Sequence, residues 1–526
     1  MFWCNYTPES DLDRDESLVR KWPVEPGRRT IFPRMTPASA LYSAYAARDP
    51  RFDGVFFIGV TSTGIYCRPV CTARTPRLAN CRFFESAALA EQAHFRPCLR
   101  CRPELAPGNA PVDDAQRVAG LIVHRIDEGV LDGGGGLEQI AREFGWSSRQ
   151  IRRVVQRELG VSPMELVLTR RLLLAKQLLT ETTLPITEVA FASGFASLRR
   201  FNDAFSGRYG MPPTRFRRAA DVSGGPEPPA ATLTLQLAYR PPFHWDALLD
   251  FLGRRALLGV EVIDGEGYAR TVRLGLAIGW VRVRHAPARR ALDVELTRSL
   301  VPALPALLGR LRNLFDLAAR PDVIAEHLGG DPQLAPLVEA DPGLRVPGAF
   351  DGFELAMRAI LGQQVTVGAA TTLAGRFATR FGEPVASPVA GLERFGPTAD
   401  RVARASVDEI AALGIVAARA ECIIRLAKAV TSGELRLEPG GDPVATAEQL
   451  LALPGIGSWT AEYIAMRALR WPDAFPRGDV AIRKALGGPE PAAAEALSQR
   501  WRPWRSYAVM HLWRAAPAAL SSEGRA

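Results

Sequence analysis

The chain has 526 residues, 47% of them hydrophobic and 23% charged, which is typical of a globular protein but too long for a single hydrophobic core. A formal net charge of +9 favours a polyanionic partner, with nucleic acid foremost. No stretch of about 18 residues is apolar and uncharged, and the N-terminal segment lacks an apolar core, which argues against membrane spanning and secretion. We therefore expect a cytoplasmic protein with no membrane partner.

Composition breaks divide the chain into domains. LAPGNAP near residue 107 and a Pro- and Gly-rich run after residue 220 are the clearest, and a weaker break lies near residue 330. The predicted fold class is multidomain, mainly α with α+β parts. The predicted order is a disordered leader at 1–34, with Met1 or Met35 as alternative starts, a cysteine-rich domain at 35–107, an all-α domain at 112–220, a linker at 221–230, a small α+β domain at 231–325 and an all-α domain at 340–520.

Four of the seven cysteines form two close pairs. Cys67 and Cys71 are separated by three residues, and Cys98 and Cys101 by two. Zn²⁺ accepts four thiolates tetrahedrally, and short pairs on two loops suit it, so the spacing predicts one Cys4 zinc site. The alternative is four unrelated buried cysteines.

The runs GVTSTGIYCRPVCTART and FRPCLRCRPE resemble the N-terminal zinc domain of the Ada family of bacterial adaptive-response proteins, over about residues 35–107. The resemblance implies that Cys67 takes a methyl group from a methylated DNA phosphate while bound to zinc. Arg68 and Arg96 stand beside the ligands, and we expect them to contact DNA phosphates, although both are equally typical of solvated surface charges.

Two segments of the all-α domain, 137–163 and 186–213, each predict a helix, a turn with glycine and a second helix preceded by a serine N-cap. A plain helical hairpin is the alternative for either one alone. In tandem, and followed by MPPTRFRR, they resemble the AraC-type regulator domain, which implies binding of promoter DNA and RNA polymerase as a partner. Residues near the start of a recognition helix reach base edges, so the expected DNA contacts are Arg149, Arg153, Arg199 and Arg200.

LPGIGSWTAEY is a helix-hairpin-helix signature. Its turn at Gly455 and Gly457 exposes backbone amides that suit a DNA phosphate, with a monovalent cation as a possible cofactor of the turn. FPRGDVAIRK follows, and together the two resemble the helix-hairpin-helix DNA glycosylases, whose aspartate matches Asp479. Further segments are similar to AlkA, the 3-methyladenine DNA glycosylase family, over nearly all of 231–516, which implies a TATA-protein-like α+β domain before the glycosylase domain.

The AlkA resemblance implies roles for individual residues. Asp479 supplies the carboxylate that stabilises the sugar cation, although a Gly-Asp before a helix also suits a plain N-cap. The implied base pocket consists of aromatic residues that core packing alone would also explain: Trp459, Tyr463, Trp513 and Phe251. Gln364 stands where AlkA has an apolar wedge, and Val480 replaces an aromatic residue. Because Trp459 stands where strand-cleaving relatives carry a lysine, we expect a monofunctional hydrolase.

The sequence thus predicts a monomeric enzyme and regulator of DNA alkylation repair. The predicted partner is double-stranded DNA, both alkylated and promoter. One alternative is a transcription regulator whose glycosylase half binds DNA without catalysis, and another is a zinc-thiolate redox switch. Ada's second active-site motif, Pro-Cys-His-Arg, is absent from the sequence.

Overall fold

The computed structural model describes residues 38–107, 122–123, 125–126, 129–131, 136–144, 146–219 and 231–522. The predicted leader and the predicted linker at 221–230 lie outside the described residues. In the part that is described, no helix combines the length and apolarity needed to cross a membrane.

The cysteine module, residues 38–107, is a small α+β unit. Its elements are α1 (Ala38–Ala46), β1 (Phe57–Val60), β2 (Ile65–Cys67), β3 (Cys81–Phe84), α2 (Ala87–Gln92) and β4 (Arg96–Pro97). The four strands are ordered β3-β1-β2-β4, and β2 and β4 run parallel. Since Tyr66 pairs with Pro97, Cys67 at the end of β2 and Cys98 just after β4 lie side by side.

The paired-helix module, residues 136–219, contains two helix-turn-helix units around the long helix α5. The predicted serine N-caps are confirmed: Ser147 accepts a hydrogen bond from the Gln150 amide, and Ser197 accepts one from the Arg200 amide. Its helices are α3 (Gly136–Glu143), α4 (Ser148–Leu159), α5 (Pro163–Glu181), α6 (Ile186–Ala192), α7 (Leu198–Tyr209) and α8 (Pro213–Ala219).

An antiparallel five-stranded sheet with the order β5-β9-β8-β7-β6 opens the C-terminal half, residues 231–522. Leu235, Val281 and Val294 lie on three neighbouring strands and are fully buried. Their burial fixes the register of the sheet, because a shift of one residue would turn these side chains to the opposite face. The elements are β5 (Thr232–Ala238), α9 (Trp245–Gly253), β6 (Glu261–Asp264), β7 (Gly267–Leu274), β8 (Ala277–Ala286) and β9 (Ala291–Thr297).

Helices dominate the rest of the chain and build two further hydrophobic clusters. They are α10 (Leu304–Leu314), α11 (Pro321–Leu328), α12 (Ala335–Ala340), α13 (Gly352–Leu361), α14 (Val367–Phe381), α15 (Ala399–Ala403), α16 (Val407–Ala411), α17 (Ala417–Ser432), α18 (Pro443–Leu451), α19 (Ser458–Arg467), α20 (Val480–Ala485), α21 (Pro491–Ser498) and α22 (Arg505–Ser522).

The buried carboxylate of Glu91 joins the cysteine module to the paired-helix module. Glu91 accepts hydrogen bonds from Tyr66 Oη at 3.0 Å, from Thr169 Oγ1 at 2.7 Å and from Arg208 Nη1 at 2.7 Å. Tyr66 immediately precedes Cys67, and Arg208 lies on α7, the second recognition helix. The sheet residue next to the predicted methyl acceptor is therefore connected to that helix through a single carboxylate.

The paired-helix module also packs against the C-terminal half. One hydrophobic cluster runs from α5 through α8 into the five-stranded sheet, with Leu178, Phe205, Leu235 and Leu296 among its fully buried members. At the sheet edge, Gln177 Nε2 donates to the Gln236 carbonyl at 2.9 Å. The sequence left open whether the two halves act separately; the structure places a continuous core between them.

Arg240 is a buried polar link between the cysteine module and the C-terminal half, with 1% of its surface exposed. Its guanidinium donates to the carbonyls of Asp53 and Pro107 in the cysteine module, at 2.8 and 3.3 Å, and to that of Ala318 in the C-terminal half, at 2.6 Å. A single guanidinium therefore connects three chain segments.

We expect Arg240→Met to loosen the interface by about 2–4 kcal/mol, because three buried carbonyls lose their donor. Hydrogen exchange at the amides near residues 53 and 107 measures this loosening. The matched control is Arg298→Met, which removes a more exposed interface ion pair with Glu188 and is expected to cost less than about 1 kcal/mol. Equal exchange in the two variants would contradict the role given to Arg240.

Candidate functional sites

The four predicted cysteine ligands converge in the cysteine module. Their sulfurs all lie within 4.8 Å of one another, and three of the four residues are buried. Hydrogen bonding with Cys101, Cys71 and Cys98, together with burial, raises the pKa of the Cys67 thiol. Four thiolates at this spacing need a cation to hold them together, and the all-sulfur donor set fits Zn²⁺.

Backbone amides distinguish the four sulfurs. The Arg68 amide donates to Cys101 Sγ at 3.3 Å. Hydrogen bonding with Cys101 and then with Cys67 lowers the pKa of Cys71 to about 7, and hydrogen bonding with Cys101, Cys67 and Cys71 lowers the pKa of Cys98. Among the described residues, Cys101 Sγ is the one sulfur of the four that accepts a hydrogen bond from a backbone N–H.

Arg68 does not lie where the sequence prediction placed it. Its side chain is buried and pairs with Asp53, with Nε 2.7 Å from Oδ1, and its Nη1 donates to the Cys101 carbonyl at 3.1 Å. In this conformation it ties the loop between Cys67 and Cys71 to Asp53 and to Cys101, and the buried Asp53 carboxylate takes its charge. Arg96, in contrast, is exposed.

Asp479 stands at the start of α20 and accepts three hydrogen bonds. Its Oδ1 accepts from the Ile482 amide at 3.0 Å and from Trp513 Nε1 at 3.1 Å, and its Oδ2 accepts from Trp459 Nε1 at 2.8 Å. Asp479 is therefore an N-cap, as the alternative interpretation held, but two indoles from other helices also orient it. A carboxylate has about four lone-pair sites, so one on Oδ2 remains for a substrate or a water.

The four predicted pocket aromatics form one cluster. Trp459 and Tyr463, one turn apart on α19, stack at 5.2 Å with an interplanar angle of 11°. Trp513 on α22 lies 6.1 Å from Tyr463 and stacks at 6.2 Å on Phe251, from the end of α9. The structure thus brings together all four rings and Asp479.

Two arginines that the sequence interpretation did not name lie against these rings. Arg467 Nη1 donates to Tyr463 Oη at 2.7 Å, and its guanidinium carbon is 4.9 Å from the centroid of the Phe251 ring. The guanidinium carbon of Arg255 is 3.9 Å from the same centroid. In the sequence, the spacing of four residues between Tyr463 and Arg467 on one helix could have indicated that these two side chains are in contact.

The predicted hairpin joins α18 to α19. Gly455 has a φ of +96°, and a Cβ there would lie 3.0 Å from the Cys422 side chain, so the turn requires glycine. Gly457 is the N-cap of helix α19 and offers no side-chain cap, and both glycines are exposed. Its first amides are therefore open to an anion.

The predicted wedge residue lies next to this hairpin. Gln364 is exposed and has a φ of +56°. The preceding Gln363 donates from Nε2 to the Gly455 carbonyl and to Thr460 Oγ1, both at 3.0 Å. Gln363 thus holds the loop that carries Gln364 against the hairpin. Val480 is 64% exposed beside Asp479.

Family models match in four consecutive segments of the chain. Residues 40–104 match the metal binding domain of Ada, and 140–219 match a helix-turn-helix domain. Residues 234–351 match the AlkA N-terminal domain, and 357–491 match the HhH-GPD superfamily of base excision DNA repair proteins.

A relative from Mycobacterium tuberculosis, named as a bifunctional transcriptional activator/DNA repair enzyme AlkA, is 39% identical over 479 residues, which are 90% of this chain and 95% of the relative. The chain belongs to this bifunctional Ada/AlkA family. DNA-3-methyladenine glycosylase 2 of Escherichia coli is 37% identical over 282 residues, 53% of this chain and 95% of that protein. AdaA of Bacillus subtilis is 31% identical over 181 residues, 34% of this chain and 83% of that protein.

The helix-turn-helix part of this Ada/AlkA chain presents its predicted DNA contacts to solvent. Arg149 and Arg153 lie on the exposed side of α4, and Arg199 and Arg200 lie exposed at the start of α7. Ile151, between Arg149 and Arg153, and Phe201, directly after Arg200, are fully buried. Each second helix therefore buries its apolar side and exposes these arginines, whose contacts with DNA remain predictions.

Proposed function

We propose that the chain repairs alkylated DNA and regulates the response to alkylation. Its C-terminal half removes alkylated purines by hydrolysing the N-glycosidic bond, and Cys67 accepts methyl groups from DNA methylphosphotriesters. The observation that carries the first activity is the convergence of two indole N–H groups on Asp479 within a cluster of four aromatic rings.

In the proposed hydrolysis the aromatic rings hold the extruded base, and Asp479 faces the sugar. Cleavage of the bond between C1′ and the purine nitrogen develops positive charge on the sugar, which the carboxylate stabilises. The cationic purine takes both electrons of the broken bond and leaves as a neutral base, while water supplies the hydroxyl that C1′ gains and releases its proton to the solvent. Trp459 occupies the position where strand-cleaving relatives carry a lysine, so we propose an intact strand with an abasic site as the product.

DNA is held by the hairpin and the loop beside it. The uncapped amides at the start of α19 suit a backbone phosphate, and a monovalent cation bound by the turn would add charge there. Gln364 would enter the space left by the extruded base as a polar wedge, with Gln363 tying it to the hairpin.

Cys67 is proposed as the methyl acceptor because it matches the reactive first cysteine of the Ada zinc domain, whose family model matches residues 40–104. Zn²⁺ in the site would keep all four sulfurs deprotonated at neutral pH. Cys67 Sγ attacks the methyl carbon, the S–C bond forms, and the C–O bond breaks with its electrons left on the phosphate oxygen. Transfer to a thioether is not reversed, so each chain acts once.

Methylation of Cys67 removes one negative charge from a cluster that faces DNA phosphates, so we propose that it tightens DNA binding. The connection from Tyr66 through Glu91 to Arg208 supports transmission to the paired-helix module. We propose that the methylated chain then binds a promoter as a monomer and contacts RNA polymerase, in the cytoplasm.

Both activities are tested with the purified chain. Duplex DNA carrying alkylated purines is expected to yield free methylated base and uncut abasic strand, and a duplex with methylphosphotriesters is expected to transfer one methyl group per chain. Methyl transfer without base release, in protein that binds the DNA, would favour a regulator with an inactive glycosylase half. Zinc loss under oxidant without any methyl transfer would favour a redox switch.

A further inference from the structure

The turn that leads into Asp479 is anchored at both of its ends. At its start, the Phe475 amide donates to Glu462 Oε2 at 3.0 Å, and Phe475 itself is 2% exposed. At its end, two indole N–H groups donate to the Asp479 carboxylate. Two backbone hydrogen bonds of 2.8 Å close the turn. In them the Arg477 amide donates to the Phe475 carbonyl, and the Asp479 amide donates to the Pro476 carbonyl. The backbone that carries Arg477 is therefore held in one place.

Arg477 lies at the tip of this turn with its charge uncompensated. Arg477 and the following Gly478 are both exposed, and in the described part of the chain no carboxylate forms an ion pair with Arg477. Arg483, six residues further on, differs in this respect, because it donates to the Pro489 carbonyl at 2.7 Å and pairs with Glu490 at 3.7 Å. Arg477 thus offers a full positive charge two residues from the proposed catalytic carboxylate.

The proposed reaction gives such a charge a task. A carboxylate that faces the sugar of an extruded nucleotide also lies near the two phosphates that flank this sugar, and like charges repel. The indoles of Trp459 and Trp513 orient the Asp479 carboxylate but carry no net charge, so the repulsion persists. A guanidinium on the same turn opposes it, because an arginine side chain is long and its planar N–H donors match the geometry of phosphate oxygens.

We propose that Arg477 binds one of the two phosphates that flank the extruded nucleotide and so holds the sugar against Asp479. This inference rests on the proposed glycosylase activity and deepens it by naming a further DNA-binding residue. The contact adds a charged group to the uncharged amides that the hairpin offers at the start of α19. Because it involves the DNA backbone and not the base, it serves every substrate of the site equally.

The first measurement is the affinity of the full chain for a duplex that carries a stable abasic-site analogue, with undamaged duplex as competitor. Arg477→Met is expected to weaken binding about tenfold at low salt. It should also lower the slope of log affinity against log salt by about one, because one phosphate contact is lost. Arg477→Lys keeps the charge and is expected to keep the slope.

Arg404→Met is the matched control. Arg404 is an arginine of the same half whose Nη1 donates to Asp400 Oδ1 at 2.8 Å, so its charge already has a partner. This variant is expected to bind the analogue duplex within about twofold of wild type, with an unchanged salt slope. Equal losses in Arg404→Met and Arg477→Met would assign the effect to the overall charge of the protein and overturn the inference.

A double-mutant cycle between protein and DNA locates the phosphate. Replacing the phosphate on the 5′ or the 3′ side of the analogue with an uncharged methylphosphonate removes one DNA charge at a time. At the contacted phosphate, we expect wild type to lose about tenfold in affinity and Arg477→Met to lose less than about twofold further, because its contact is already gone. Losses that multiply at both phosphates would show that Arg477 touches neither of them.

Base release separates this contact from the chemical step. At saturating concentrations of alkylated duplex, Arg477→Met is expected to release base within about threefold of the wild-type rate, because a phosphate contact stabilises substrate and transition state alike. A slower rate with unchanged affinity would assign Arg477 to the alignment of Asp479 and overturn the phosphate contact. Wild-type protein that binds the analogue but releases no base would instead contradict the proposed glycosylase activity, so the two failures are distinct.

Discussion

Replacing Asp479 with asparagine is expected to lower the single-turnover release of a methylated purine by at least about 100-fold. The charge is lost at the position where positive charge develops on the sugar. The change also turns one carboxylate oxygen into an N–H₂ group, which cannot accept from an indole N–H. Either Trp459 or Trp513 therefore loses its acceptor, and the aromatic cluster loses part of its alignment.

The fold should tolerate this change. Asparagine is about as good an N-cap as aspartate, and its remaining oxygen can still accept from the Ile482 amide at the start of α20. We expect unchanged circular dichroism and DNA binding within about threefold of wild type. The loss would then lie in the chemical step and not in folding or binding.

Asp442→Asn is the matched control. Asp442 is also a helix N-cap in the C-terminal half, where it accepts from the Val444 amide at 2.9 Å, and in the described part of the chain no indole N–H donates to it. It is expected to retain base release within about threefold of wild type. Release by Asp479→Asn at the rate of this control would remove Asp479 from the reaction.

Much of this architecture could be predicted from local pattern. The serine caps, the alternation of ATLTLQLA and the glycine turn at Gly455 each depend on residues a few positions apart, and the structure has all three. The sequence interpretation made no prediction for β9, although ALDVELT alternates, and it is this strand that joins the edge strand β5 to the sheet. The residues of the base site were predicted from motifs that resemble the AlkA family; their spacing alone did not bring together Phe251, Asp479 and Trp513.

Contacts between distant segments were not predictable. Arg240 meets Asp53 and Pro107, and Arg255 meets the Phe251 ring beside Trp513, only because the modules pack as they do. Arg68 illustrates the same limit: beside two cysteines in sequence it suits a phosphate contact, but the fold supplies a buried carboxylate from residue 53 that takes its charge. One arginine side chain cannot serve both partners at once.

The methyl acceptor offers a test in which two physical criteria disagree. Exposure favours Cys101, the only one of the four cysteines that is not buried, whereas Cys67 is 4% exposed. Hydrogen bonding disfavours Cys101, because the Arg68 amide donates to its sulfur and withdraws electron density, and the resemblance to Ada assigns the acceptor role to Cys67. We expect nucleophilicity to decide, since binding to DNA can expose a sulfur but cannot remove amides that belong to the same loops.

Peptide mapping of the wild-type chain after reaction with a methylphosphotriester duplex is therefore expected to find one methyl group, on Cys67. The same reaction should strengthen binding to unmodified duplex by about tenfold at low salt, and that gain should shrink as ionic strength rises, because it comes from a charge. A methyl group on Cys101 would show that access outweighs amide hydrogen bonding in this cluster. A gain in affinity that is independent of salt would locate the switch in the Tyr66–Glu91–Arg208 connection, because a change of helix position does not depend on screening.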